Sequence, residues 1–140
     1  LSLVKSKFVF MGEKDFQQFL LIKKILGKKY KINIIACQTI RDKNKIALST
    51  RNKLLNRSSI KKASNIAKKL LQLKRNSTLN NLKYSINLSN IRSEFERKYK
   101  VKIDYLEFRD EKKLKLNNFK LKYRLFIAYN INNIRLIDNF

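Results

Sequence analysis

The sequence has 140 residues and a hydrophobic fraction of 44%, enough for one domain or parts of two and too apolar for a disordered chain. Lys and Arg number 34 against 10 Asp and Glu, a formal net charge of +24 that suggests a polyanionic partner such as RNA, DNA or an acidic membrane surface. With one Cys and no His, an internal disulfide framework, a Cys/His zinc site and a Cys-His dyad within this chain are excluded.

The charge has a second explanation. Lys, Asn and Ile are abundant, Pro is absent and Gly occurs twice, a balance that drift towards AT-rich codons produces. The lysines spread along the chain instead of forming one tail, so composition and function both account for them. No apolar run reaches the ~18 residues of a membrane span and no signal-peptide pattern opens the chain, so a cytoplasmic location is expected. Residue 1 is Leu, which hints at a fragment or an unusual start codon.

In chain order, Phe8-Val9-Phe10 reads as a short buried strand, broken by Gly12. Phe16, Phe19, Leu20, Ile22 and Leu26 then recur at helical spacing to about Gly27. Ile32 to Cys37 is a second apolar, β-branched strand that should bury Cys37 as a small side chain. Strand, helix and strand over residues 8 to 37 predict a βαβ unit of a parallel sheet, which cannot stand alone. A polar loop, Arg41 to Lys45, leads to a helix lined by Ile60, Ala63, Ala67, Leu70 and Leu73, which Ser58 or Ser59 could cap. Leu88, Ile91, Phe95 and Tyr99 line another helix. Val101, Ile103 and Tyr105 form the inward face of a strand; Leu121, Tyr123, Leu125, Ile127 and Tyr129 form that of a second, and Ile134 to Ile137 a third. The expected fold is α/β followed by α+β with a small antiparallel sheet, divided into residues 1–37 and 38–140.

Two stretches carry candidate chemistry. A helix opening just after a strand presents unpaired N–H groups and its positive dipole end, where an anion can settle. Gly12 allows close backbone approach, Lys14 can aim at the same anion, Gln18 shares its helix face, and Asp15 can accept from sugar hydroxyls. Taken alone, the stretch reads first as an ordinary helix start, with Glu13 and Asp15 favouring the N-terminus and Lys14 solvated. In Ala47-Leu48-Ser49-Thr50-Arg51-Asn52, two hydroxyls stand beside a guanidinium, the donors a triphosphate needs, although this is also common loop chemistry.

In order and spacing, Gly12-Glu13-Lys14-Asp15-Phe16-Gln17-Gln18, Ala47 to Asn52, Asp104-Tyr105-Leu106-Glu107 and Arg135-Leu136-Ile137-Asp138-Asn139 resemble the pantoate-beta-alanine ligase family. The resemblance covers essentially the whole chain. It implies a Rossmann-like nucleotidyltransferase domain, of which residues 1–37 are the last βαβ unit, followed by a C-terminal lid domain. It also implies ATP-dependent joining of pantoate to beta-alanine through pantoyl adenylate, with release of pyrophosphate and then AMP. Carried over by motif, Gly12 and Asp15 sit at the ribose, Lys14 at the phosphates, Gln18 at pantoate and Ile40 at adenine through its backbone. Ser49, Thr50 and Arg51 hold phosphates as the KMSKS loop does in related enzymes. Lys14, Ser49, Thr50 and Arg51 are thereby the expected catalytic residues.

The sequence also departs from the family. The early HxGH-type signature, the acidic residues near Mg2+ and a second pantoate glutamine have no counterpart here, so no metal ligand is expected in this chain. Activity of these residues alone is not expected, and a separate N-terminal half is an implied partner; family members usually form homodimers. Gln38 stands where the family usually has Pro, and Lys45 where it usually has Gly. The alternative function is a small basic nucleic-acid-binding protein, which needs cations on one face and exposed aromatics; Phe95, Tyr99, Tyr105 and Tyr123 fall instead on expected core faces. An inactive gene remnant is a third reading.

Overall fold

The computed structural model describes residues 6–79, 86–116 and 122–140, and divides into two compact units, Leu1–Ile40 and Arg41–Phe140. In the first, strand β1 (Phe8–Gly12) leads through a 3-10 turn (Glu13–Asp15) into helix α1 (Phe16–Tyr30), and strand β2 (Asn33–Cys37) returns parallel to β1. Phe8 pairs with Asn33 and Gly12 with Cys37. This is the expected βαβ unit. Helix α1 runs past Gly27 to Tyr30, where Lys31 closes it in the left-handed region at φ 50°. Gly27 lies inside the helix, where an added Cβ would make only ordinary van der Waals contact with the Ile32 carbonyl oxygen at 3.5 Å.

The core of this unit is one-sided. Phe16, Phe19, Ile32 and Ile34 are buried where α1 meets the sheet. The expectation of a buried first strand is not met: Phe8 is 51% and Phe10 66% exposed. Cys37, expected inside, is also exposed. The physical reason is the same for all three. A two-stranded sheet with one helix has one covered face, and parallel strands read as continuously apolar because they normally have two.

The second unit closes around its own core. Its elements are a 3-10 turn (Thr50–Leu54), helices α2 (Arg57–Leu79) and α3 (Leu88–Tyr99), and strands β3 (Lys102–Asp110), β4 (Tyr123–Ile131) and β5 (Ile134–Asn139). The strands form an antiparallel sheet in the order β3-β4-β5. Ala63, Ile66 and Leu70 of α2 and Phe95 of α3 share one cluster with Ile103, Leu125, Ile127 and Ile131 of the sheet. The architecture is α/β followed by α+β.

Local chemistry sets the details. Asn56, not Ser58 or Ser59, caps α2: its Oδ1 accepts from the Ser59 N–H at 2.8 Å. Ser59 is 1% exposed, and its hydroxyl accepts from Asn132 Nδ2 at 3.0 Å. A bulge between Ile103 and Tyr105 shifts the phase of β3, so Leu106 and Phe108 turn inward while Tyr105, expected in the core, is only half-buried. Helix α3 covers that edge strand, with Glu96 accepting from the Ile103 N–H at 3.0 Å and Arg92 donating to the Ile103 carbonyl. Strands β4 and β5 join through Asn132 and Asn133 at φ 47° and 64°, the signs that a two-residue type I′ hairpin requires. Leu121, expected at the start of a strand, lies outside the described residues.

Candidate functional site

The first unit gathers Gly12, Lys14, Asp15 and Gln18 along the passage from β1 into α1. Lys14 lies in the 3-10 turn and Gln18 in the first turn of α1, so the helix proper opens later than the sequence suggests. Gly12 has an ordinary φ of −66°, and a Cβ built on it meets nothing within 4 Å. Its value is thus open space at the strand end. Asp15, at the helix N-cap, makes no side-chain capping bond, so its exposed carboxylate is not used to close the helix. Ile40 is 71% exposed.

In the second unit, Ser49 caps the 3-10 turn that Thr50 and Arg51 open, and Thr50 and Arg51 are exposed. Ser49 Oγ accepts from the Arg51 N–H at 3.3 Å, which spends a lone pair and leaves the hydroxyl proton able to donate. Asn52 Nδ2 donates to the Ala47 carbonyl at 3.0 Å, tying the end of the motif to its beginning. Chemically, the turn offers two neutral donors and a planar cation on one short backbone.

A hairpin of residues 41–47 supports this turn. Arg41 and Ala47 form an antiparallel bridge, and Asp42 Oδ1 accepts from the Asn44 and Ile46 N–H groups, both at 2.9 Å. Ser64 of α2 donates to the Asn44 carbonyl at 2.8 Å. Lys45 sits at φ 69°, in the left-handed region that favours Gly. Arg41 grips Asp138 bidentately, Nη1 to Oδ2 at 2.6 Å and Nη2 to Oδ1 at 2.9 Å, and also donates to the Lys45 and Asn139 carbonyls, each at 3.1 Å. Its guanidinium lies 4.4 Å from the centre of the Phe140 ring. Tyr129 is buried nearby, and desolvation, followed by the charge of Asp138, pushes its phenol above the ordinary range while Arg41 opposes the shift.

Sequence reasoning placed Arg41 in a polar loop and Asp138 in a motif without pairing them. The polar residues of Arg41–Lys45 were a signal for a turn, but no local pattern joins residues 97 apart. Among the described residues, no group of three or more His, Cys, Asp or Glu could hold a metal ion. Among them too, no helix is long and apolar enough to cross a membrane.

A strand-helix-strand unit with an open glycine at its turn, followed by a helix-backed antiparallel sheet carrying a hydroxyl-guanidinium turn, defines a Rossmann-like α/β protein with an α+β unit. The pantoate-beta-alanine ligase family model matches residues 1–140, and the chain belongs to that family. It is 36% identical to the pantothenate synthetase of Flavobacterium psychrophilum over 98% of this chain and 49% of that protein. Identity to the pantothenate synthetase of Francisella tularensis subsp. mediasiatica is 35%, over 100% of this chain and 45% of that protein. Among solved structures, the pantoate-beta-alanine ligase of Francisella tularensis, in complex with beta-gamma ATP and beta-alanine, matches with a TM-score of 0.71 at 32% identity, covering 100% of this chain and 45% of that one. The pantothenate synthetase of Thermus thermophilus shares the fold, with a TM-score of 0.79 at 23% identity over 99% of this chain and 51% of that one. The chain spans about half the length of the relatives it matches.

Proposed function

We propose that these residues supply the C-terminal part of an ATP-dependent ligase that joins pantoate to beta-alanine. The match of the whole chain to the ligase family carries the reading, and the Ser49-Thr50-Arg51 turn gives it a chemical rationale. In the first step, a pantoate carboxylate oxygen bonds to the α-phosphorus of ATP, and the bond to the bridging oxygen breaks to release pyrophosphate. In the second, the beta-alanine amine attacks the activated carbonyl, loses a proton and displaces AMP.

Neither step requires a protein nucleophile. What each requires is charge neutralised where it accumulates, by groups already in place. Lys14 faces the phosphates, while Gly12 and Asp15 receive the ribose, the glycine by leaving room and the carboxylate by accepting from hydroxyls. Gln18 binds pantoate, and Ile40 meets adenine through its backbone. Ser49, Thr50 and Arg51 stabilise the departing pyrophosphate, with Arg51 suited to grip it bidentately.

With no His in the sequence, the histidine-bearing signature of the family has no counterpart in these 140 residues. The reading therefore includes a dependence on a complementary N-terminal half. The test is ATP-pyrophosphate exchange that depends on pantoate. The purified 140-residue chain is expected to show none, and joining it to the N-terminal half of the Francisella tularensis ligase is expected to restore exchange. In the joined enzyme, Lys14→Ala lowers kcat/KM by about 10²-fold, the scale of losing one charge-stabilising donor. Exchange by the chain alone overturns the dependence, and an unchanged rate in the Lys14 variant overturns the phosphate role.

A further inference from the structure

We infer that Arg41 and Asp138 form a clamp that positions the Ser49-Thr50-Arg51 turn, making both of them positioning residues for the proposed reaction. The inference rests on the phosphate-binding reading of that turn. Three observations point to it. The contact is built to be rigid: two parallel hydrogen bonds of 2.6 and 2.9 Å join a planar guanidinium to a carboxylate, with side chains only 16% and 10% exposed. The same guanidinium also donates to the Lys45 carbonyl on the hairpin and the Asn139 carbonyl at the end of β5, so all four N–H groups of its terminal nitrogens are used. Finally, the hairpin that Arg41 closes runs directly into the turn through Ala47, whose carbonyl holds Asn52 on the far side of the three donors.

The geometry decides what kind of residue can serve. A lysine at position 41 keeps the positive charge, but a single ammonium cannot present two parallel N–H bonds to Asp138 while also reaching two carbonyls on different segments. An asparagine at 138 keeps the shape but loses the charge and one acceptor. Either change leaves the sheet and α2 with their own core and releases one anchor of the hairpin. Ser64 still holds the Asn44 carbonyl from α2, so the hairpin loosens instead of detaching.

Two measurements test this. In the chain itself, amide hydrogen exchange at Lys45 and Asn52, whose N–H groups bond to the Asp42 and Ser49 carbonyls, is expected to speed up by tenfold or more in Arg41→Lys and Asp138→Asn. Exchange at Ile127 in the central strand stays as in the parent. In the enzyme joined to the N-terminal half of a relative, both variants are expected to raise the KM for ATP about tenfold while the KM for pantoate is unchanged. The double variant Arg41→Asp with Asp138→Arg recovers part of that loss. A merely structural role would shift the two KM values together or act through exchange at Ile127. Unchanged exchange at Lys45 and Asn52 overturns the clamp. Faster exchange with an unchanged KM for ATP overturns the positioning role, and Arg51→Ala in the same enzyme then separates two failures. If it raises the KM for ATP, only the clamp is wrong; if it does not, the phosphate reading of the turn fails as well.

Discussion

The two units are cut from the same lysine-rich, aliphatic composition but reach opposite outcomes. The second encloses Leu70, Phe95, Ile103, Leu125 and Ile127 almost completely, whereas the first leaves Phe8, Phe10, Leu21, Ile25 and Ile35 exposed. The number of layers makes the difference. A central strand with neighbours on both sides and helices against the sheet can bury its apolar residues, while one helix on two strands shields a single face. Hydrophobic content thus measures how much surface a segment would gain by being covered; topology decides whether the cover exists.

Four substitutions would break or sharpen that contrast. The largest effect is expected at Phe95, where truncation to Ala should cost about 3–5 kcal/mol in urea unfolding; a loss below about 1 kcal/mol would mean that the second unit is far looser than it looks. Next comes Tyr129. Its folded pKa lies above the unfolded phenol's, so the folded chain holds this proton more tightly. That contribution is complete below about pH 10 and is lost as pH rises towards the folded value, by roughly 1 kcal/mol per pH unit. Tyr129→Phe should therefore flatten the alkaline fall in stability, and parallel pH curves for parent and variant would refute the assignment. Lys45→Gly should stabilise by about 1 kcal/mol, because it removes a side chain from a left-handed backbone position; a melting temperature that falls would contradict this. At the small end, Phe10→Ser should change the stability of this chain by no more than about 0.5 kcal/mol. A clear loss there would show that the face is covered in solution.

The sequence made most of the elements legible because periodicity survives without knowledge of neighbours. Ala63, Ala67 and Leu70 announce the inner face of α2, and Leu125, Ile127 and Tyr129 that of β4. What depended on neighbours was missed. Phe8 and Cys37 look buried by their own apolar context, yet both are exposed among the described residues. Tyr105 follows the alternation begun by Val101 and Ile103 until the bulge at Asp104 flips the phase. Asn56 outcompeted Ser58 and Ser59 as the cap because it stands one residue ahead of the helix. For the site, the Ser-Thr-Arg motif was visible as a motif, and its place on a short 3-10 turn agrees with a loop before a helix. Lys45 was noted as a departure from a usual Gly, and its φ of 69° gives that departure a conformational meaning. The support beneath the turn was not legible, since Arg41 and Asp138 meet only through the fold.

The tight connection through Asn132 and Asn133 has a consequence for the order of folding. A two-residue hairpin closes on the scale of roughly 1–10 μs, and it brings β5 beside β4 with little loop entropy to overcome. Arg41 must wait for that event, because its partner is 97 residues away and is presented only once β5 is paired. The turn carrying Ser49, Thr50 and Arg51 is therefore expected to mature late, and a slow final phase at its amides would record the moment when Arg41 engages Asp138.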